Sequence, residues 1–136
     1  MSRALATEQG ELDEARRVAL AVLQAVAGRV TAAVRLGAAQ RLIESAKKKS
    51  GAAERDLLGR RLEAMASLLR DVGGVQAGAP PRALASPDLV QSLAAIGGQL
   101  DGPRLSRAFE RVGEARRALE RNQSPKVVAD WLACEL

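Results

Sequence analysis

Aromatic residues are almost missing from this chain of 136 residues, which has one Trp, one Phe and no Tyr. Its core must therefore be filled mainly by Ala, Leu and Val. Ala and Leu favour helices, whereas strands favour β-branched and aromatic residues. No segment alternates apolar and polar residues for long enough to be a strand. We predict an all-α fold, a bundle of about five or six helices around one core.

The chain also has no His, and Cys134 is its only cysteine. These absences exclude a disulfide within the chain, a Cys/His zinc site and a Ser-His or Cys-His nucleophile pair. We interpret Cys134 as a small apolar residue of the last helix. The phosphate-binding sequence GxxxxGK[ST] is missing as well, and the pairs at 73–74 and 97–98 are interpreted as helix ends. We expect no catalytic, cofactor or metal site, so function should come from a surface.

Basic residues outnumber acidic ones by 21 to 16, which gives a net charge of +5. Such a surplus permits contact with nucleic acid without requiring it. The acidic pair Glu110 and Glu114 lies among arginines and is interpreted as part of a solvated helix surface. The first residues are too polar for a signal peptide, and no apolar run approaches the ~20 residues that span a bilayer. We expect a soluble cytoplasmic protein without a membrane or small-molecule partner.

Capping residues and glycines divide the chain into candidate helices. A short helical turn is expected before a break at Gly10, with the acidic residues that follow placed in the first turn of the next helix. Thr31, Ser50, Ser86 and Ser124 are the predicted N-caps. Residues 73–85 are predicted to form a loop. The expected helices cover residues 11–27, 32–48, 52–72, 87–96, 103–122 and 125–136.

Apolar residues at spacings of three and four predict which side of each helix is buried. The lysine run at 47–49 is interpreted as a solvated helix end. Trp131 is predicted to be largely buried against the penultimate helix. The other residues predicted to face the core include Leu12, Val18, Leu36, Leu42, Ala46, Leu58, Leu62, Met65, Leu69, Val72, Leu105, Phe109, Val112, Leu119 and Val127.

The sequence RRALERNQSPK, from Arg116 to Lys126, resembles the closing signature of bacterial DNA polymerase III clamp-loader subunits. In that signature an Arg-x-Leu-x-x-Asn-x-x-Pro stretch precedes an apolar final helix. Two weaker matches occur in the same order, at residues 2–5 (SRAL) and 68–71 (LLRD). They resemble the end of the family's AAA+ lid domain and a stretch of its long middle helix. The signature residues in this chain are Arg117, Leu119, Asn122 and Pro125.

The resemblance implies a C-terminal collar domain over residues 10–136, with residues 1–9 as the end of the lid domain. Delta-prime is favoured over tau/gamma because the chain ends soon after its final helix, although the family's usual aromatic residues of the middle helix are replaced by Leu and Met. A collar holds the loader ring together while ATPase domains elsewhere drive loading of the sliding clamp onto primed DNA. The implied partners are the tau/gamma and delta subunits of a DNA polymerase holoenzyme, a transferase in which this chain itself would have no catalytic role.

Arginine is enriched at protein interfaces, so the basic side of the penultimate helix is our candidate for subunit contact. It consists of Arg104, Arg107, Arg111 and Arg121, and the surface around Arg60 and Arg61 is the next candidate. One alternative is a stand-alone basic helical domain that binds nucleic acid or acts as a scaffold, although DNA binding by this chain is expected to be weak. A small helical enzyme is the least favoured alternative.

Overall fold

A computed structural model describes residues 3–45 and 50–136 of the chain. This part contains six α-helices and no strand, which confirms the predicted all-α class. The helices are α1 (Arg3–Ala27), α2 (Ala32–Ile43), α3 (Gly51–Gln76), α4 (Val90–Gln99), α5 (Gly102–Glu120) and α6 (Pro125–Glu135), and short 3₁₀ turns cover Pro81–Ala83 and Pro87–Leu89.

Helix α3 lies at the centre of the bundle and contacts all five other helices. Its predicted seam is confirmed, because Leu58, Leu62, Met65, Leu69 and Val72 are all at most 1% exposed. Helices α1, α4 and α5 pack directly on α3, and α6 joins the ends of the bundle by packing on both α2 and α5. Most of the core residues are Ala, Leu and Val, as the composition predicts.

Three of the four predicted N-caps are confirmed. The hydroxyl groups of Thr31, Ser50 and Ser124 each accept a hydrogen bond from a backbone N–H three residues later. Ser86 is correct in position, because Pro87 begins a 3₁₀ turn directly after it, but its side chain forms no capping hydrogen bond and the residue is buried. A 3₁₀ turn precedes α4 at this point, and the Ser86 N–H donates to the Asp71 carboxylate instead.

Helix α1 ends at Ala27, directly before Gly28, as expected, but the helices do not end at the other glycines where we predicted breaks. Helix α1 runs without a break through Gly10, so its acidic residues do not occupy a first turn. Helix α3 continues through the pair at 73–74 and α4 through the pair at 97–98. A glycine inside a helix costs only about 1 kcal/mol relative to alanine, which tertiary packing can offset. Helix α3 ends instead beside Gly78, which has a φ of 82° and supports the paired backbone bonds of a Schellman motif.

Helix α2 is shorter than predicted. It ends at Ile43, and Glu44 has an extended backbone. The predicted helical end at 47–48, the buried position Ala46 and the lysine run at 47–49 lie outside the described residues. Leu36 was expected to face the core but is 62% exposed, whereas Ala38, Ala39 and Leu42 are buried.

Several large apolar side chains are more exposed than their spacing indicated. Phe109 is 41% exposed, Leu12 and Val127 are exposed, and Val18 is only partly buried. Trp131, in contrast, is more than half buried and packs against the core, as predicted. On α5 the smaller Ala108 is buried where the seam predicted Phe109. Helices α3 and α5 pack closely at Gly73, where an added Cβ would lie 3.6 Å from Leu105 Cδ2. A bulky ring is less easily accommodated in such an interface than an alanine.

Candidate subunit interface at the α5–α6 corner

The last turn of α5 ends in a Schellman motif. The backbone N–H of Gln123 donates to the Ala118 carbonyl, and that of Asn122 donates to the Leu119 carbonyl, each at 3.2 Å. This pattern requires a left-handed residue after the helix, and Asn122 has a φ of 67°. Asn adopts that conformation more readily than most residues other than Gly. Asn122 therefore has a conformational reason for its identity at this turn.

Helix α6 begins only three residues beyond Asn122. The Ser124 hydroxyl accepts from the Val127 N–H at 3.5 Å, and Pro125 occupies the first helical position, where no N–H is needed. Leu119 is buried in the same corner. Three of the four signature residues thus have a structural reason for their identity: Leu119 packs, Asn122 turns the chain and Pro125 restarts the helix.

Between the two helices of this corner lies a groove of about 330 Å³, which we call the α5–α6 groove. Val127 and Trp131 provide its apolar wall, and Arg117 and Arg121, both exposed, provide basic groups. Glu114 also lines it, but its carboxylate is bound to the Arg111 guanidinium at 2.7 Å. The groove therefore combines exposed apolar surface with two available positive charges.

The predicted arginine face divides into two structural arginines and two exposed ones. Arg104 donates to the Gln99 carbonyl at 3.3 Å and to the Val26 carbonyl at 3.2 Å, so it ties the ends of α4 and α1 to α5. Arg111 pairs with Glu114 on its own helix and with Glu135 on α6 at 3.3 Å. Arg107 and Arg121 are exposed. Only these two are available to a partner without breaking contacts within the chain.

In the second predicted surface, around Arg60 and Arg61, Arg60 is partly exposed but Arg61 is buried. Arg61 is 1% exposed and cannot meet a partner. Its Nη1 donates to the carbonyls of Arg41 and Leu42 at the end of α2, at 2.9 and 3.1 Å, and its Nη2 contacts the Glu14 carboxylate at 3.3 Å. A periodic pattern could have indicated this burial, because Arg61 directly precedes Leu62 and follows Leu58 by three residues.

A cavity of about 480 Å³ lies beside Arg61 between α1, α2 and α3. Its charged lining contains Glu14, Arg17, Arg41 and Glu44 as well as Arg61. Burial lowers the pKa of the Arg61 guanidinium, while the carboxylates of Glu14 and Glu44 act in the opposite direction. The mixture of signs means that charges within the chain neutralise much of the potential an anionic ligand would need.

The LLRD sequence of α3 holds the following loop in place. Asp71 is 6% exposed, and its two carboxylate oxygens accept from the N–H groups of Ala85 and Ser86 at 2.9 and 2.8 Å. The neighbouring Arg70 guanidinium lies 5.8 Å from the centre of the Phe109 ring, within cation–π range. The Arg-Asp pair thus has two separate structural roles, one in the loop and one against α5.

The described residues contain no group of three or more His, Cys, Asp or Glu side chains that could hold a metal ion. Cys134 lies on α6 and is exposed. None of the helices described here is both long and apolar enough to cross a membrane.

Comparison with known proteins does not identify a relative. Neither the scan of protein-family models nor the searches of curated proteins and of solved structures finds a match to this chain.

Proposed function

We propose that this chain is a collar domain of a clamp loader, of the delta-prime kind, which holds neighbouring subunits in a ring and performs no catalysis itself. The observation that carries the proposal is the α5–α6 corner. Its Asn122, Ser124 and Pro125 occupy the left-handed, capping and first helical positions of one tight connection. Asn122 and Pro125 are two of the four residues by which this sequence resembles the clamp-loader signature, and Ser124 lies between them.

The LLRD stretch supports the same proposal independently of the corner. Asp71, on the long central helix, anchors the α3–α4 loop by accepting hydrogen bonds from two backbone N–H groups. The Asp of the Arg-Asp pair therefore has a structural role. The bundle also presents exposed arginines on α5, which suit contact with carboxylates of a neighbouring subunit.

The test is reconstitution of this chain with tau/gamma and delta subunits, followed by size-exclusion chromatography. The proposal expects the chain to co-elute with them. Arg107→Glu should reduce the co-eluting fraction, because Arg107 is exposed and charge reversal creates repulsion without breaking an internal ion pair. Arg35→Glu, an equal change of charge at an exposed position of α2, is the matched control. Absence of the chain from the assembled loader would reject the proposal.

Arg111 is unsuitable for that experiment, although we predicted it as part of the interface. Its guanidinium joins α5 to Glu135 of α6, so Arg111→Glu would place three carboxylates together and loosen the corner. A loss of assembly in that variant would therefore not distinguish subunit contact from folding.

A stand-alone nucleic-acid-binding domain is the second candidate. The observation that favours it is the exposure of Phe109 beside Arg70, since an aromatic ring with a neighbouring guanidinium can stack on a base. The apolar spacing of α5 predicts a buried Phe109, whose ring could not stack on a base. Loss of single-stranded DNA binding in Phe109→Ala would favour this candidate.

A further inference from the structure

In the first turns of α1, the apolar side chains on the side of the helix that faces the core further along are exposed to solvent. Every residue from 3 to 14, which we call the α1 arm, is exposed, and burial begins at Ala15. Leu5 is 55% exposed and Leu12 is 47% exposed. They are seven residues apart, so they share one side of the helix at a separation of about 10 Å. Val22 and Val26, which are buried, continue the same stripe into the core.

The arm is the N-terminal half of the 25-residue helix α1. Ion pairs of Glu11 with Arg60 and of Glu14 with Arg61 connect its second half to α3, whereas Leu5 and Leu12 are exposed. Most helical stability comes from packing of the apolar face. An apolar stripe that leaves the core and remains helical is the pattern with which an amphipathic helix enters a groove, with anchors at i and i+7. The arm therefore has the form of a ligand for a groove.

The α5–α6 groove offers an apolar wall and two arginines to such a helix. Val127 is 58% exposed and Trp131 is partly buried one helical turn later, about 6 Å along the axis. Arg117 and Arg121 are exposed and have the same spacing on α5. Exposed aromatic and arginine side chains around a groove are typical of the centre of a protein interface.

The charges of the two surfaces are opposite. Glu8 is exposed and lies between Leu5 and Leu12 along the arm, and Asp13 follows them. The groove contributes Arg117 and Arg121, because its one acid, Glu114, is already bound to Arg111. A helix that placed Leu12 against the apolar wall formed by Val127 and Trp131 would bring Glu8, one turn away, towards the arginine pair.

We propose that the α1 arm of one copy of this chain binds the α5–α6 groove of a second copy. The contact is heterologous, because it joins two different surfaces, so each chain offers one arm and one groove. This proposal does not depend on clamp-loader subunits, since both surfaces belong to one sequence. Failure of the reconstitution described above would leave it standing, and its own failure would not affect that experiment.

Two variants break one surface each. Leu12→Glu introduces a charge into the arm and leaves the groove intact, whereas Val127→Glu does so in the groove and leaves the arm intact. Leu36→Glu is the matched control, because Leu36 is an exposed leucine of α2 outside both surfaces. All four chains, including the unmodified one, are first compared by circular dichroism and thermal unfolding, so that a loss of association can be distinguished from a loss of folding.

Sedimentation velocity over a concentration series then tests the contact. The unmodified chain and Leu36→Glu should associate with a dissociation constant below about 100 µM. Leu12→Glu and Val127→Glu should each remain monomeric alone. Mixed together they should form a dimer, because the intact groove of the first can bind the intact arm of the second. Trp131 is the only tryptophan, so its emission should shift to shorter wavelength as the groove is covered.

Charge exchange provides the second arm of the experiment. Arg121→Glu should weaken association at least tenfold, and combining it with Glu8→Arg in the same chain should restore most of the loss. An unmodified chain that stays monomeric throughout the series would overturn the proposal. So would a mixture of Leu12→Glu and Val127→Glu that remains monomeric, or association that Leu12→Glu leaves unchanged. If a chain variant proved less stable, the mixture and the charge exchange would still decide the matter.

Discussion

Arg61 is the largest fully buried side chain in the described part of the molecule. A buried charge is costly unless it is paired and hydrogen-bonded. Here the guanidinium meets the last carbonyls of α2, which carry the negative end of the helix dipole, and the carboxylate of Glu14 on α1. One side chain of α3 thereby caps α2 and contacts α1, so its charge is compensated by both neighbours.

Removal of this side chain should destabilise the folded chain. Arg61→Ala leaves two helix-end carbonyls without their donor and opens a cavity, so we expect it to lower the free energy of unfolding by about 2–4 kcal/mol. Arg60→Ala is the adjacent control, because Arg60 makes only a partly exposed ion pair with Glu11 at 3.6 Å. Its loss should cost less than about 1 kcal/mol. Urea unfolding followed by circular dichroism measures both, and equal losses would contradict the capping role.

The ion pair between Arg16 and Asp88 should contribute to acid sensitivity. Arg16 Nη1 lies 2.9 Å from Asp88 Oδ1, and this hydrogen bond holds the pKa of the Asp88 carboxyl below its usual value of 3.8. The ionised form is favoured in the folded state. Its stabilisation is therefore present above the unfolded-state pKa and is lost as the pH falls through the lower folded-state pKa.

We expect the free energy of unfolding of the unmodified chain to decline as the pH falls from about 4 into more acidic solution. Asp88→Asn should flatten the decline in that interval, because the variant has no carboxyl to protonate. Arg16→Gln should flatten it as well, since it removes the cause of the pKa shift. A decline of the same slope in all three chains would show that the pair does not couple folding to pH.

At the scale of elements, the connection between α3 and α4 depends on one carboxylate. Asp71 projects from α3 and accepts from two consecutive backbone N–H groups of the connection. Those N–H groups are otherwise committed to no helix, because α4 begins only at Val90. The connection, residues 77–89, contains two 3₁₀ turns and is anchored to the central helix at Ala85 and Ser86.

Asp71→Ala should lower the free energy of unfolding by about 2–3 kcal/mol, because it leaves two N–H groups without their charged acceptor. Hydrogen exchange should accelerate first at Ala85 and Ser86, before the core amides respond. Arg70→Ala is the neighbouring control and removes the contact with Phe109, worth about 0.5–1 kcal/mol at an exposed site. Unchanged exchange at both amides would contradict the anchoring role.

Apolar spacing and capping residues predicted the helices correctly, whereas glycine pairs did not show where the helices end. The α3 seam was predictable because Leu58 to Val72 repeat at three and four, and such a pattern leaves little choice of buried side. Capping residues located the starts of α2, α3 and α6 for a similar reason. Helix ends at glycine pairs were not predictable, because packing of Gly73 against α5 and of Gly97 against α3 overrides the weak local preference.

The candidate site was predictable only in its backbone. Asn122, Ser124 and Pro125 act within a few residues, so their order in the sequence is sufficient to assign the turn. The arginines act across the fold. Neither the link from Arg104 to Val26 nor that from Arg111 to Glu135 can be deduced from spacing along α5. Trp131 packs against the core as predicted, but one side of it faces a groove that exists only after α5 and α6 have packed.

At the scale of the whole molecule, charge is dispersed rather than concentrated. The net charge is +5, but arginines on α1, α3 and α5 are paired with acids of the same or neighbouring helices. A protein that neutralises many phosphates needs a continuous basic stripe. Pairing within the chain shortens any such stripe, so the surplus charge provides general attraction to polyanions rather than a defined nucleic-acid site.

We therefore expect the isolated chain to bind single-stranded DNA weakly, with a dissociation constant of roughly 10⁻⁴ to 10⁻⁶ M at physiological salt and a steep loss as salt increases. Fluorescence anisotropy with labelled oligonucleotides of different sequence should give similar affinities. Phe109→Ala provides the decisive comparison. If its ring stacked on a base, the substitution would cost about 1–3 kcal/mol of binding free energy. We expect a smaller effect, because Arg70 already occupies one face of the ring. Nanomolar, sequence-dependent binding that Phe109→Ala abolishes would show instead that the exposed aromatic ring marks a true nucleic-acid surface.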